Sequence, residues 1–312
     1  MFTGLYPIRH SISYDLGNTW SELSPIGDFG GNVSFSDMIH LDNSLYMGVF
    51  HDDGRFIAGG NYGKFYVVKK LLKNGERKID VFKQDLCPDG TISAPEFVAS
   101  CNNNVSVADG YEASETIYES FFGERSTKYK SRIYTTISSD YGLTWSSPQC
   151  ILSHSDAFIA EPALIKSRDN KSIAMIMREN TRKFNSLVSL SCDNGKTWSQ
   201  PTQTSSALTG DRHTIKYLSD GRIIACFRDM HPNSNFYGNW VAWIGTYEDI
   251  IHGKDGQYKI QLKQNLGGRF GDCAYTGMEV LPDDTVIAIT YGHWDKDKSP
   301  YILSVRFNPN DF

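Results

Sequence analysis

The 312-residue sequence predicts an all-β fold assembled from similar units. Three observations lead there. An octapeptide of the form SxDxGxTW occurs three times, as SYDLGNTW (13–20), SSDYGLTW (138–145) and SCDNGKTW (191–198). A longer plan of strand, Asp/Asn/Gly-rich turn and strand recurs in SDMIHLDNSLYMGVFH, EPALIKSRDNKSIAMIMR, RHTIKYLSDGRIIACFR and YTGMEVLPDDTVIAITY. Finally, 13% aromatic residues and 27 glycines suit many short strands joined by tight turns.

In the octapeptide, Asp15, Asp140 and Asp193 are suited to accept backbone hydrogen bonds within a tight turn, and Gly17, Gly142 and Gly195 supply its positive φ. The tryptophan that follows is expected to bury a large ring beside the next strand. The phrase reads as a structural staple. It resembles the Asp-box of the sialidase (neuraminidase) superfamily, whose catalytic domain is a six-bladed β-propeller with the boxes between the third and fourth strands of a blade, far from the active site. The resemblance implies a six-bladed propeller of four-stranded antiparallel blades, with residues 1–312 as a single domain.

The units follow in order. Residues 1–26 hold a strand-like run, the first box and an outgoing strand, which is half a blade. The second unit joins the hairpin at 33–56 to KFYVVKKLL (64–72) and the turn-like KNGERK. A third opens at ISAPEFVAS (92–100), crosses the polar CNNNVSVADGYEAS, and resumes with ETIYESFF, RIYTTISSD and the second box. The fourth runs from 160 to the third box. The fifth covers 210–230, WVAWIGTYED (240–249) and a degenerate hairpin at HGKDGQ, and the sixth covers 273–294 and YILSVRF (301–307). The incomplete first blade calls for strands from both termini, a preceding segment, or a partner chain to cover its edge.

Composition narrows the partners. Net charge is −5 without a Lys/Arg run, which speaks against nucleic acid, so an anionic ligand needs a local basic pocket. The start, MFTGLYPIRHS, lacks a basic segment followed by an apolar run, and nowhere do 18 apolar residues follow one another. Neither signal peptide nor membrane span is read, which leaves a cytoplasmic protein or a secreted one whose signal has been removed. The six cysteines have no CxxC spacing, so free thiols are expected, with no cofactor and no metal. NLGGRFGD (265–272) lacks the ending of a phosphate-binding loop and reads as the approach to Tyr275.

In a propeller the innermost strands start at one mouth of the central channel. Those starts are Asp37, Glu96, Glu161, Arg212 with His213, and Tyr275, while the second strands finish at His51, Arg178, Arg228 and Tyr291. Such a collection of ionisable and phenolic groups reads as a site. Tyr275 and Glu161 make a nucleophile pair, because a carboxylate within hydrogen-bond reach can take the phenol's proton as it attacks. A neutral phenol also avoids the repulsion an acidic nucleophile meets at a carbon bearing a carboxylate.

The resemblance is specific in this region. AEPALIKSRDNKSIAMIMREN is similar to the family segment that implies Glu161 as the partner and Arg178 as a carboxylate clamp. AYTGMEVLPDDTVIAITYG is similar to the segment that implies Tyr275 as the nucleophile. The family binds a substrate carboxylate with three arginines, since planar guanidinium forks match carboxylate geometry. The third has no counterpart in NSNFYGNW, so Arg228 or Arg212 is expected to replace it, or else to pair with a neighbouring acid such as Asp211 or Asp229. Arg9 of PIRH lies in the wrong context for the first and reads as structural. Asp37 is the candidate general acid or substrate-binding aspartate, with His213, His51 and Glu96 as further substrate contacts. The three imidazoles of His213, His51 and His293 lack the spacing of a metal site.

The leading expectation is a glycosidase releasing a terminal acidic sugar from a glycan. Two others stand beside it: a propeller glycosidase of different sugar specificity working through Asp37 and Glu161, and a carbohydrate-binding propeller without chemistry.

Overall fold

The computed structural model describes residues 7–30, 35–42, 44–52, 64–73, 76–85, 94, 96–102, 132–146, 148–268 and 270–312. In chain order its strands are β1 (Pro7–His10), β2 (Ser24–Gly30), β3 (Asp37–Asp42), β4 (Leu45–Asp52), β5 (Lys64–Lys73), β6 (Glu76–Asp85), β7 (Glu96–Asn102), β8 (Arg132–Ser138) and β9 (Gln149–Ser153). They continue with β10 (Ile159–Lys166), β11 (Ile173–Glu179), β12 (Leu187–Ser191), β13 (Thr202–Gln203), β14 (Gly210–Tyr217), β15 (Ile223–Asp229) and β16 (Trp240–Gly245). A five-residue helix, α1 (Tyr247–Ile251), precedes β17 (Tyr258–Lys263), β18 (Gly277–Val280), β19 (Val286–Gly292) and β20 (Tyr301–Phe307). The proposed ETIYESFF strand, most of the polar stretch before it and the turn at Asn43 lie outside the described residues.

The chain packs as two compact units. The first takes Met1–Ser34, Asp52–Tyr129 and Gly142–Gln149, and it holds the antiparallel pair β1–β2 and a three-stranded sheet in the order β5-β6-β7. In that sheet β5 and β6 pair from Lys64↔Asp85 to Lys73↔Glu76, and β7 pairs back along β6.

The second unit takes Phe35–His51, Lys130–Tyr141 and Cys150–Phe312. It is a propeller array of four blades, β3-β4-β8-β9, β10-β11-β12-β13, β14-β15-β16-β17 and β18-β19-β20, in place of the expected six. Innermost strands β3, β10, β14 and β18 stand beside one another in that order. Cross-blade bonds fix the spacing: Leu164 N donates to Asp37 Oδ2 (2.8 Å), Tyr217 Oη to Lys166 O (2.7 Å) and Thr214 Oγ1 to Thr276 O (2.6 Å).

Pairing departs from the expected units at two points. ISAPEFVAS (β7), expected to open the unit that holds β8, pairs with β6 in the first unit. The hairpin β3–β4 continues into β8 and β9 instead of β5 and β6. Met47, Val49 and Phe50 of β4 are buried and call for an equally buried neighbour, which β8 provides with Ile133 and Tyr134. The KFYVVKKLL run instead pairs within the first unit. Sequence adjacency is a common guide to strand pairing, not a rule.

The core lies between blades. One layer joins Met47, Val49 and Ile133 to Leu164, Ile173 and Met175; a second joins Ala163, Ala174 and Ile176 to Ile223, Ala225 and Phe227; a third joins Ile224, Cys226 and Trp240 to Met278, Val286 and Trp294. Because side chains alternate along β15, Ile223, Ala225 and Phe227 face one layer while Ile224 and Cys226 face the next. Both faces of this strand are therefore buried, which explains its unbroken apolar run.

The boxes sit where expected, between the third and fourth strands of the first two blades and between β1 and β2. Every fixed position has a task. In the third box Ser191 Oγ donates to Asp193 Oδ1 (2.8 Å) and accepts from Gly195 N (2.8 Å), and Thr197 donates through both N (2.9 Å) and Oγ1 (2.6 Å) to the Asp193 carboxylate. Trp198 Nε1 donates to Gly195 O at 3.0 Å, closing the loop. The positive φ extends over two residues, Asn194 (57°) and Gly195 (82°). Ring burial is uneven, since Trp198 packs on the core but Trp20 is 64% exposed. The first box nevertheless keeps the same internal bonds, including that from the indole to Gly17 O (3.0 Å).

In the third blade the corresponding junction carries α1, capped at Thr246 by a reciprocal pair with Asp249, at the end of the WVAWIGTYED run, and the expected turn at 252–257 follows it. The aligned turn positions Asn170, Gly221 and Asp284 all have positive φ, as the shared plan requires. No helix among the described residues is long and apolar enough to cross a membrane, and Cys192, Cys226 and Cys273 are free thiols.

Candidate active site

The same irregularity opens the inner strands of three blades. Register slips between Ala160 and Ala163 in β10 and between Asp211 and Thr214 in β14, and an isolated bridge Cys273↔Gly292 precedes β18. The residue after each ordered pair has a left-handed backbone without being glycine: Glu161 (φ 48°), Arg212 (58°) and Ala274 (64°). Such a conformation costs on the order of 1–3 kcal/mol per residue and persists where the surrounding structure fixes it. Bulges of this kind re-aim side chains. Here they bring Glu161, Arg212 and Tyr275 together.

Tyr275 Oη donates to Glu161 Oε1 at 3.1 Å, and Arg178 Nη1 donates to Glu161 Oε2 at 3.0 Å. Tyr275 is 40% exposed. Burial, the Glu161 carboxylate and their hydrogen bond raise the phenol's pKa, with Arg178 and Arg228 opposing. The resting group is therefore a neutral phenol whose proton already points at a base. The Arg212 guanidinium lies over the Tyr275 ring at 4.8 Å from its centroid and 4.0 Å from Glu161 Oε1. No hydrogen bond ties that guanidinium among the described residues.

Behind the pair lies Asp211, fully buried, with its carboxylate shared by three guanidiniums. Arg182 grips it in bidentate fashion at 2.7 Å from each terminal nitrogen. Arg228 reaches it through Nη2 (2.7 Å) and Nε (3.2 Å), and Arg178 Nε stands 3.0 Å away as an ion pair without hydrogen-bond alignment. The arginines hold the Asp211 carboxyl below its usual range in spite of burial. Four guanidiniums (178, 182, 212, 228) are ion-paired to only two carboxylates (161, 211). A cluster so rich in guanidiniums suits an anion.

Other expected contacts divide. Arg228 commits Nε and Nη2 to Asp211 and Nη1 to Gly271 O and Cys273 O (the latter 3.1 Å), four of a guanidinium's five donors, and its side chain is 9% exposed. It fulfils the pairing alternative, holding the loop before Tyr275. His213 is buried against Phe227 with Nε2 donating to Leu208 O (2.9 Å), so its ring belongs to the core. His51 Nδ1 accepts from Glu161 N (3.2 Å), and so supports the bulge.

Asp37 Oδ2 and Oδ1 accept from Leu164 N (2.8 Å) and Met38 N (2.7 Å). Burial nevertheless raises its pKa above the ordinary value, outweighing those bonds and the charges of Lys216 and Arg212. Glu96 begins β7 and belongs to the first unit, where it pairs with Lys83. His293 Nε2 stands 3.6 Å from Asp272, which also accepts from Tyr291 Oη (2.7 Å). Among the described residues no group of three or more His, Cys, Asp or Glu is placed to hold a metal ion.

Sequence reasoning missed Arg182. It lies in the loop after β11, outside the repeated plan, and its own φ is 61°. Glu179 holds this loop: its carboxylate accepts from Phe158 N (3.1 Å), Thr181 N (2.9 Å), Lys183 N (3.1 Å) and Phe184 N (3.4 Å). Positions 181 and 183 flank the arginine, so the pattern R-E-N-x-R was the available signal.

The fold and site together define a propeller with an acid–phenol pair embedded among arginines. No family model matches the chain, and no curated protein matches it. Solved structures do. A protein of unknown function from Dyadobacter fermentans DSM 18053 is similar over 96% of this chain and 82% of its own, at 16% identity and a TM-score of 0.51. An endo-arabinase from Bacteroides thetaiotaomicron VPI-5482 is similar over 88% and 95%, at 11% identity and a TM-score of 0.42. The intramolecular trans-sialidase from Ruminococcus gnavus, in complex with oseltamivir carboxylate, is similar over 96% and 87%, at 14% identity and a TM-score of 0.38. The likeness to the Dyadobacter protein is one of fold.

Proposed function

We propose that this protein is a glycosidase that releases a terminal acidic, sialic acid-like sugar from a glycan. The reading keeps the six blades of the sialidase superfamily, four of which correspond to the second unit. The observation that carries it is the 3.1 Å hydrogen bond from Tyr275 Oη to Glu161 Oε1 within a cluster of arginines. As the phenolic oxygen bonds to the anomeric carbon, its proton passes to Glu161 and the glycosidic C–O bond breaks. The leaving oxygen takes a proton from Asp37, whose raised pKa suits an acid. Water then attacks the same carbon and gives its proton to the Asp37 carboxylate, while the Tyr275 oxygen leaves and takes back the proton held on Glu161. Arg178 and Arg212 face the substrate's carboxylate.

The test is turnover of a fluorogenic sialoside by wild type and Tyr275→Phe. The expected loss is about 10³-fold or more, and an unchanged rate refutes the assignment. A second reading, a glycosidase of other specificity working through Asp37 and Glu161, draws on the raised Asp37 pKa. It requires Tyr275→Phe to retain turnover of a neutral glycoside.

A further inference from the structure

The loop after β11 and the loop after β15 border a cavity of about 220 Å³ that none of Tyr275, Glu161, Arg178 and Arg212 lines. Arg182, Lys183, His231 and Asn233 stand around it, with Glu179 as its one acid. That acid is already spent. Glu179 is 2% exposed, and its carboxylate accepts the amides of Phe158, Thr181, Lys183 and Phe184. Donors, by contrast, are left over. Arg182 gives two N–H groups to Asp211 and keeps three, and among the described residues no partner engages the Lys183 ammonium, the His231 ring or the Asn233 amide.

Both walls are fixed in the same way. Glu179 ends β11 and binds amides of the loop that follows it; Asp229 ends β15, is fully buried, and accepts from His231 N (3.1 Å) and Ser234 Oγ (2.6 Å) in the loop that follows it. Lys259 Nζ neutralises Asp229 at 2.5 Å, so its charge does not reach the cavity unopposed. The result is a hollow with leftover donors of positive or neutral charge on a backbone that is already ordered.

We propose that this cavity is a second binding site, separate from the Tyr275–Glu161 pair, for a small oxyanion (a carboxylate, phosphate or sulfate group) held by Arg182, Lys183 and His231. Its volume lies below the roughly 300–1,000 Å³ of pockets that enclose drug-sized ligands, so it suits a free ion or the charged group of one sugar unit. An arginine anchored on a buried carboxylate gives up little side-chain freedom when the anion docks. The site does not depend on the glycosidase reading.

The experiment titrates ¹⁵N-labelled protein with inorganic sulfate, galactose 6-sulfate and uncharged galactose, following the amides of 181–186 and 230–234 by NMR. Both sulfates are expected to shift these amides saturably, and galactose is not. Lys183→Gln should weaken sulfate binding roughly 10-fold, as expected for a charge-assisted bond. Lys196→Gln, which removes an exposed lysine of the third box, should leave it unchanged. Circular dichroism confirms that both variants are folded. Tighter binding of the sugar sulfate identifies an anionic sugar as the ligand, and tighter binding of inorganic sulfate a free ion. The site is overturned if neither sulfate saturates these shifts, if galactose shifts them equally, or if Lys183→Gln binds as tightly as Lys196→Gln. No readout involves turnover, so a failure here leaves the glycosidase reading untouched.

Discussion

His213 gives a stability prediction whose size follows from its surroundings. Its Nε2–H donates to Leu208 O, while Nδ1 is buried with no partner, so the ring is held neutral. A second proton would sit on Nδ1 and face an apolar core beside Phe227. Burial lowers the pKa from 6.5 to about 4, against the raising influence of the Leu208 carbonyl, Asp211 and Glu161. Because the folded-state value is depressed, the unfolded chain binds the proton first as pH falls. The stabilising contribution is complete above pH 6.5, declines between 6.5 and about 4, and levels off below. The shift corresponds to about 3 kcal/mol. Urea unfolding followed by tryptophan fluorescence from pH 7.5 to 4.5 measures it in wild type and in His213→Gln. The variant is less stable at neutral pH through loss of packing, but its stability changes less with pH over this range. Parallel curves for the two proteins would refute the account.

Further expectations follow from individual contacts. A Cβ on Gly195 would lie 2.5 Å from Met47 Sδ, whereas one on Gly142 meets Trp145 at 3.6 Å. Gly142→Ala should therefore cost about 1–2 kcal/mol for the left-handed backbone. Gly195→Ala should cost a further 1–3 kcal/mol or so from overpacking, read as the difference in urea midpoint. Glu179→Gln places an amide NH₂ against backbone donors that now share a carboxylate. It should destabilise by about 1–3 kcal/mol, as calorimetry would show. With Asp37 as the acid, turnover falls as pH rises through its elevated pKa. Asp37→Asn should abolish cleavage of alkyl glycosides while sparing aryl glycosides whose leaving group needs no proton.

The repeated phrases made the blades legible because every residue fixed in SxDxGxTW has a local bond to make, and local bonds recur wherever the phrase does. The hairpin plan likewise set Glu161, Arg178, Arg212 and Tyr275 in register, since the turn positions align. What could not be read was non-local. Nothing in KFYVVKKLL says that β5 pairs with β6 and β7 while β4 pairs with β8. The bulges that turn Glu161 and Arg212 inward appear only as a register shift between strands. Arg182 and Arg228 carry the same charge in the sequence and differ only in how many donors the fold has already used.

On the proposed reading Tyr275 forms a covalent bond to the sugar, and trapping that intermediate shows where the sugar attaches. Incubation with a fluorinated sialic acid analogue that slows the second step, followed by proteolysis and peptide mass spectrometry, locates the sugar. The account predicts one adduct, on the peptide containing Tyr275, and none in Tyr275→Phe. An adduct on Glu161 or Asp37 would contradict it.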